Sequence, residues 1–153
     1  MTDLELLERY ATGCESLITL IGRLNPEQTR VRPVDGTWSP LELVCHLADS
    51  EMLFAQRMKR VLAEEQPPLR YADPDRFQAA LACQSRNLQE EVSLIQLVRK
   101  QMLHILESQP AEAWNRTGIH DHVGEQSLRQ LVQKAIGHLE HHLVFLRAKI
   151  DAE

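Results

Sequence analysis

Three short segments of this chain have the pattern of a helix capping box, and they constrain the fold more than any other feature. They are residues 2–5, 39–42 and 127–130, each with Ser or Thr first and Glu or Gln fourth. In a capping box these two side chains satisfy backbone amides at the start of a helix. Apolar residues follow each segment at steps of three and four. The pattern predicts three helices that begin there.

The second of these helices also has Pro40 at its first position, and it is predicted to run to the Pro67-Pro68 pair, which cannot continue a helix. A further helix is predicted from Asp73-Pro74 to Ser108, with a polar stretch at residues 84–87 where it can bend or divide. Only 5% of the residues are aromatic, which favours helices over strands. With no strand candidate, we predict an all-α four-helix bundle in one domain, residues 1–153.

Two connections, residues 65–73 and 109–126, are long enough to cross the bundle, so the order of the helices stays open. The second connection contains His120 and His122 and is long for a helical bundle. Such loops often cover a functional site, so we expect a lid here, with both histidines solvated or mobile.

The net charge of −5 and the scattered basic residues exclude the clustered basic surface that nucleic-acid binding requires. No apolar run approaches the length of a membrane span, and Met1-Thr2-Asp3 lacks the positive charge of a signal peptide. We therefore expect a soluble, cytoplasmic protein that does not bind membranes.

The three cysteines, Cys14, Cys45 and Cys83, are odd in number and show no CxxC spacing. This pattern favours small core residues over a disulfide or a thiolate zinc site.

Histidines on two helices form the candidate functional site. His138 and His142 are four residues apart, so they differ by only about 40° in direction and can bind one ion. His46 lies on the apolar face of the second helix and can supply a third nitrogen. Three imidazoles leave a coordination position for water or substrate, as in catalytic zinc sites. Spacing alone leaves open the alternative that these histidines only donate hydrogen bonds at the edge of the core.

Neighbouring polar residues are less easily assigned. Cys45 diverges from His46 by about 100° and is not expected to be a ligand, and His141 is predicted at the surface. Asp49 is placed to accept a hydrogen bond from the His46 ring and so orient it, whereas Glu51 is expected to be solvated or paired with a basic residue.

Two known metal-site motifs are absent from the sequence. The string at residues 138–142 is not HExxH, which excludes a zincin protease, and the two Glu-x-x-His motifs of di-iron bundles are absent.

Taken together, the segments Gly36-Thr37-Trp38-Ser39-Pro40, His46-Leu47-Ala48-Asp49-Ser50-Glu51 and His138-Leu139-Glu140-His141-His142 resemble the DinB-like (DinB/YfiT) superfamily of metal-dependent enzymes. In that family a Gly-x-Trp-Ser segment leads into a helix with the first histidine, and the last helix carries an HxxxH pair. The resemblance spans nearly the whole chain. It implies a four-helix bundle with a divalent metal on His46, His138 and His142.

The resemblance further implies nickel or zinc, a homodimer, and relatives that include transferases and isomerases with bacillithiol, mycothiol or glutathione-type thiols as cosubstrates. We therefore expect a small-molecule substrate and a metal that activates water or a thiol, as in a hydrolase or a thiol S-transferase. The alternative is a non-catalytic stress-related or ligand-binding helical protein with a structural or vestigial metal site. A helical interaction module would instead require a broad exposed apolar patch.

Overall fold

Four long helices form the body of the protein. The computed structural model describes residues 1–33 and 36–152. The helices are α1 (Asp3–Ile21), α2 (Pro40–Ala63), the short α3 (Pro74–Ala80), α4 (Leu88–Glu107) and α5 (Leu128–Asp151), and the strands are β1 (Pro68–Leu69), β2 (Thr117–His120) and β3 (Gly124–Ser127). The predicted four-helix bundle is confirmed, with α1, α2, α4 and α5 as its members. Within the described residues, no helix is both long enough and apolar enough to cross a membrane.

The three predicted capping boxes are formed. The hydroxyls of Thr2, Ser39 and Ser127 each accept a hydrogen bond from the amide three residues later, at 3.2, 3.2 and 3.1 Å. The Glu or Gln side chain at that position accepts from the amide of the capping residue in return. The start of each of these helices is therefore fixed by the residues that predicted it.

The predicted third helix is divided in two, as its polar stretch allowed. After α3, Ala82 adopts a left-handed conformation with φ 52°, and a short 3-10 turn at Cys83–Ser85 follows. Asn87 then caps α4 by accepting a hydrogen bond from the amide of Glu90 at 3.0 Å. The break moves α3 away from the line of α4, and α3 packs against α2 instead.

The expectation that the chain has no strands is wrong. Strand β1 pairs in parallel with β2, and β2 pairs with β3 in an antiparallel hairpin. A Cβ added at Gly118 would lie 2.9 Å from the Leu69 side chain and 3.0 Å from the Pro67 carbonyl oxygen, so glycine permits this close approach. The small sheet joins the two long connections and holds them beside α2.

Within the described residues, the core consists of two large apolar clusters with a buried ion pair between them, and a small third cluster of Leu41, Cys45 and Cys83. One large cluster includes Tyr10 and Ala55, and the other includes Leu17 and Ala48. Along α2, Glu51 falls between Ala48 and Ala55, and its carboxylate binds a buried arginine. Cys14, Cys45 and Cys83 are free thiols and are buried, which confirms their prediction as small core residues.

Candidate metal site

Helices α2 and α5 bring the three predicted histidines together. Nε2 of His46 lies 2.9 Å from Nε2 of His138 and 3.2 Å from Nε2 of His142. The three side chains offer ligand atoms that all lie within 4.8 Å of one another, and among the described residues they form the only such cluster. Nitrogens about 2.0–2.1 Å from one tetrahedral zinc ion are about 3.3 Å apart. The observed spacing is therefore close to that of ligands that share an ion.

Aromatic packing and helix geometry hold the rings in place. The Trp38 ring, just before α2, lies 4.8 Å from the His46 ring, and the Phe54 ring lies 5.8 Å from the His138 ring. Nδ1 of His138 and Nδ1 of His142 are buried and have no hydrogen-bond partner among the described residues. Trp38 therefore supports His46 directly through ring packing.

The surroundings of the histidines favour neutral rings. Burial, followed by repulsion from His142 and His46, lowers the pKa of His138 to about 3. Burial and the neighbouring His46 lower the pKa of His142 to about 4, and burial also lowers the pKa of His46. At neutral pH the rings therefore have lone pairs available for a cation. A set of imidazoles without carboxylates suits zinc, nickel, copper or cobalt better than magnesium or calcium.

These pKa values predict that metal-free protein loses stability in acid. His138 and His142 bind fewer protons folded than unfolded between about pH 6.5 and their lowered values of about 3 and 4. The free energy of unfolding should therefore fall as the pH is lowered through that window, by up to about 1.4 kcal/mol per pH unit from His138 and by a smaller amount from His142, which is more exposed to solvent. Urea unfolding of chelator-treated protein at pH 7, 6 and 5 measures this loss. His138→Phe should reduce it, and an equal slope in that variant would contradict the assignment.

Two clefts are lined by different members of the histidine cluster. One has a volume of about 230 Å³ and is lined by His46, Asp49, Ser50, Leu53, Phe54, Arg57, Tyr71, Ala72, Pro74, Phe77, His120 and His138. The other, of about 280 Å³, is lined by Gly36, Thr37, Trp38, Leu43, Asp75, His142, Phe145 and Lys149. We call them the α2 cleft and the α5 cleft. Small molecules can therefore approach the histidines by either route.

The expectation that His120 is solvated or mobile is wrong. The side chain is buried, and its Nδ1 accepts hydrogen bonds from the amides of His122 at 3.0 Å and Val123 at 3.3 Å. His122 is exposed, but its ring stacks on Tyr71 at 4.1 Å. The connection expected to be a lid is thus an ordered hairpin that forms a wall of the α2 cleft. The turn residue Gly124 was the only sequence signal for this hairpin.

The expected role of Asp49 behind His46 is also wrong. Its carboxylate accepts hydrogen bonds from Arg86 at 2.8 and 3.2 Å, and Arg86 also binds Glu91. Of the two alternatives predicted for Glu51, solvation or pairing with a basic residue, the second is confirmed, because its carboxylate binds Arg99.

The remaining neighbours of the histidines behave as predicted. Cys45 is buried, with its thiol 3.9 Å from the carbonyl oxygen of Cys83, and burial raises its pKa. A protonated thiol in that position does not serve as a metal ligand. His141 is exposed and packs on the Phe145 ring at 4.7 Å, which confirms its place at the surface.

Comparison with known proteins places these features in a family. The family model of the DinB superfamily matches residues 9–146. "Putative metal-dependent hydrolase OB0413" from Oceanobacillus iheyensis is 24% identical over 147 residues, which cover 96% of this chain and 84% of that protein.

Solved structures share the fold at low sequence identity. YfiT from Bacillus subtilis, described as "a probable metal-dependent hydrolase with an unusual four-helix bundle topology", has a TM-score of 0.89 and 20% identity over 96% of this chain and 85% of its own. A mycothiol-dependent maleylpyruvate isomerase has a TM-score of 0.78 and 13% identity, and the match covers 95% of this chain and 61% of the isomerase.

Proposed function

This chain belongs to the DinB superfamily, and we propose that it is a metal-dependent hydrolase whose ion is bound by His46, His138 and His142. The observation that carries the proposal is the meeting of three Nε2 atoms, with that of His46 2.9 and 3.2 Å from those of His138 and His142, beside a cleft that His46 and His138 line. The name of the Oceanobacillus relative supports hydrolysis as the reaction.

A divalent ion held by three neutral imidazoles keeps its full charge and lowers the pKa of a water or thiol at its remaining position. The chain contributes the rigid placement of the ligands, since two of them are one turn apart on α5 and the third comes from the facing α2. Phe54 and Phe77 line the α2 cleft and present apolar surface to a substrate. This arrangement suits a small molecule that places a carbonyl carbon near the histidines.

Thiol S-transfer is the second candidate, and the presence of two clefts favours it. Such a reaction needs a thiol and an electrophile at the same ion, whereas hydrolysis needs one organic substrate. The α2 cleft contacts His46 and His138, and the α5 cleft contacts His142. A fold neighbour is named as a mycothiol-dependent isomerase. Each cleft can therefore supply one of two reactants.

Metal removal and return test the proposed function. Protein purified without a histidine tag is treated with chelator and then loaded with zinc or nickel. Hydrolysis of 4-nitrophenyl acetate and conjugation of cysteine to monobromobimane are measured in both states. We expect about one metal per chain and an activity that the chelator abolishes and the metal restores. Which assay responds separates hydrolysis from S-transfer.

The non-catalytic alternative gives a different result in the same experiment. A structural metal would raise the melting temperature strongly while neither assay responded. Protein that binds neither zinc nor nickel would overturn the metal site itself. His142→Ala adds a second check, because a folded variant without turnover supports catalysis.

A further inference from the structure

We propose that the α2 cleft binds substrates through a carboxylate, which Arg57 and His120 hold at a distance from the histidine cluster. This inference deepens the proposed function by naming the class of substrate. Arg57 follows His46 by 11 residues on α2. Eleven residues rotate a helix by roughly 20° beyond three full turns and advance it by roughly 16 Å. Arg57 and His46 therefore lie on the same face of α2, about three turns apart, and both line the α2 cleft.

Among the described residues, the guanidinium of Arg57 has no carboxylate partner. It donates one hydrogen bond, from Nη2 to the carbonyl oxygen of Arg70 at 2.6 Å. No Asp or Glu oxygen of residues 1–33 and 36–152 lies within 4 Å of it. Arg86, which is also half-buried, instead binds both Asp49 and Glu91. Arg57 thus has most of its five N–H groups free for a ligand.

The position of Arg57 makes this lack of a partner more significant. The residue is half-buried, with its guanidinium carbon 5.9 Å from the centre of the Phe54 ring. Burial lowers the pKa of Arg57, and the Asp121 charge raises it only in part. Because a partly desolvated cation gains more from an anion than a solvated one, a bound carboxylate would be favoured here.

His120 supplies a second donor to the same cleft. Since its Nδ1 accepts two backbone hydrogen bonds, the ring's proton lies on Nε2 when the ring is neutral. Nε2 has no partner among the described residues. Burial and the charge of Arg57 lower the pKa of His120, which keeps the ring neutral near pH 7. The ring is thus a neutral hydrogen-bond donor beside a cation.

The nearby acids offset this positive charge only in part. Asp49 lines the α2 cleft, but both of its oxygens bind Arg86. Asp121 Oδ1 lies 3.6 Å from Nδ1 of His120 and accepts a hydrogen bond from the Tyr71 amide at 2.9 Å, but the side chain is half exposed, so solvent screens its charge. The cleft lining also includes the apolar side chains of Leu53, Phe54 and Phe77, and the Phe54 ring lies 5.9 Å from the Arg57 guanidinium carbon and 5.8 Å from the His138 ring. A substrate that fits has a carboxylate at one end, an apolar body and a reactive group at the other end.

A matched pair of probes tests the proposal by binding rather than turnover. Zinc-loaded protein is titrated with para-trifluoromethylbenzoate and para-trifluoromethylbenzamide, and binding is followed by fluorine NMR. The two probes have nearly the same shape but differ in charge. We expect the benzoate to bind about tenfold more tightly than the benzamide, the gain typical of a charge-assisted hydrogen bond. Arg57→Gln should reduce this ratio to near one, and Arg57→Lys should retain part of it.

Arg70→Gln is the matched control, because it makes the same change of charge at an exposed side chain outside the cleft lining. It should keep the full ratio. His120→Phe should lower the ratio a few-fold, since it keeps an aromatic ring but removes the donor. A ratio that persists in Arg57→Gln would mean that the carboxylate binds the zinc directly, and it would overturn the proposal.

Equal binding of the two probes by the unchanged protein, or no binding of the benzoate, would overturn it as well. The readout does not depend on catalysis. Failure of the hydrolase assays together with an Arg57-dependent preference would therefore reject the proposed function and leave the anion site standing. The reverse outcome would leave the hydrolase standing without this substrate class.

Discussion

Replacing His46 with alanine is expected to lower the affinity for zinc by more than about 100-fold. Loss of a residue that only hydrogen-bonds to a metal ligand lowers metal affinity by about 10- to 100-fold, and loss of a ligand itself should cost more. His46 is the one proposed ligand from α2, and its Nε2 lies 2.9 and 3.2 Å from the Nε2 atoms of His138 and His142. Without it, His138 and His142 remain as a pair on α5, and two imidazoles bind zinc more weakly than three. Competition against a chromophoric chelator measures the affinity, and the activity assays should lose their metal-dependent signal together with it.

His141→Ala is the matched control for this substitution. It also removes one imidazole, and its ring lies 5.4 Å from that of His142, but the side chain is exposed and is not part of the cluster. It should bind zinc as the unchanged protein does. If His46→Ala kept one tightly bound equivalent of metal while folded by circular dichroism, the three-histidine site would be wrong.

Much of the bundle could be predicted because its signals are local. A capping box lies within four residues, and an apolar stripe lies within one helix, so neither depends on distant parts of the chain. The meeting of His46 with His138 and His142 followed from the same rules, since all three project from apolar faces that must pack together. The family resemblance favoured a metal over the alternative of hydrogen-bonded core histidines but did not change these residues.

The small sheet could not be predicted, because its evidence is tertiary. Strand β1 has two residues, both β2 and β3 contain a glycine, and the pairing of Pro68 with Ile119 joins segments about fifty residues apart. Short strands without alternating apolar residues look like turns in a sequence. His120 was misjudged for the same reason, since only the hairpin buries it and turns its Nδ1 toward the backbone amides.

The ion-pair partners of charged residues were also hard to predict. Arg57 and Arg86 look alike in sequence, yet one has no carboxylate partner among the described residues and the other binds two. Arg99 gave a stronger signal, because it lies between the apolar positions Ile95 and Met102 on the stripe of α4. A charge on an apolar stripe is rarely left without a partner. That rule predicts burial with a carboxylate, although it does not identify Glu51.

Arg99 connects all four long helices through one side chain. From α4 it donates to both Glu51 oxygens on α2, at 2.6 and 3.0 Å, to the Tyr10 carbonyl on α1 at 2.9 Å, and to the Ala135 carbonyl on α5 at 2.9 Å. A Cβ added at Gly13 would lie 2.9 Å from Nη1 of Arg99, so glycine leaves room for the guanidinium. The side chain is almost fully buried between the two apolar clusters.

Arg99→Met is therefore expected to reduce the free energy of unfolding by about 3–5 kcal/mol, because it leaves the Glu51 carboxylate buried without its cation. The double variant Arg99→Met with Glu51→Leu should recover most of that loss, since it removes both charges and fills the space with apolar atoms. Urea unfolding measures both. Arg60→Met is the control for losing an ion pair, because the Arg60–Glu64 pair is exposed and should cost less than about 1 kcal/mol.

The double variant Arg99→Met with Glu51→Leu also tests whether the ion pair affects the metal site or only the stability of the fold. The Ala135 carbonyl that Arg99 binds lies one turn before His138 on α5, and Glu51 lies five residues after His46 on α2. The guanidinium therefore fixes the spacing of the two helices that supply the ligands. We expect the stable double variant to bind zinc about tenfold more weakly than the unchanged protein, as when an outer-shell partner is lost. Unchanged zinc affinity in that variant would show that helix packing alone sets the positions of the three rings.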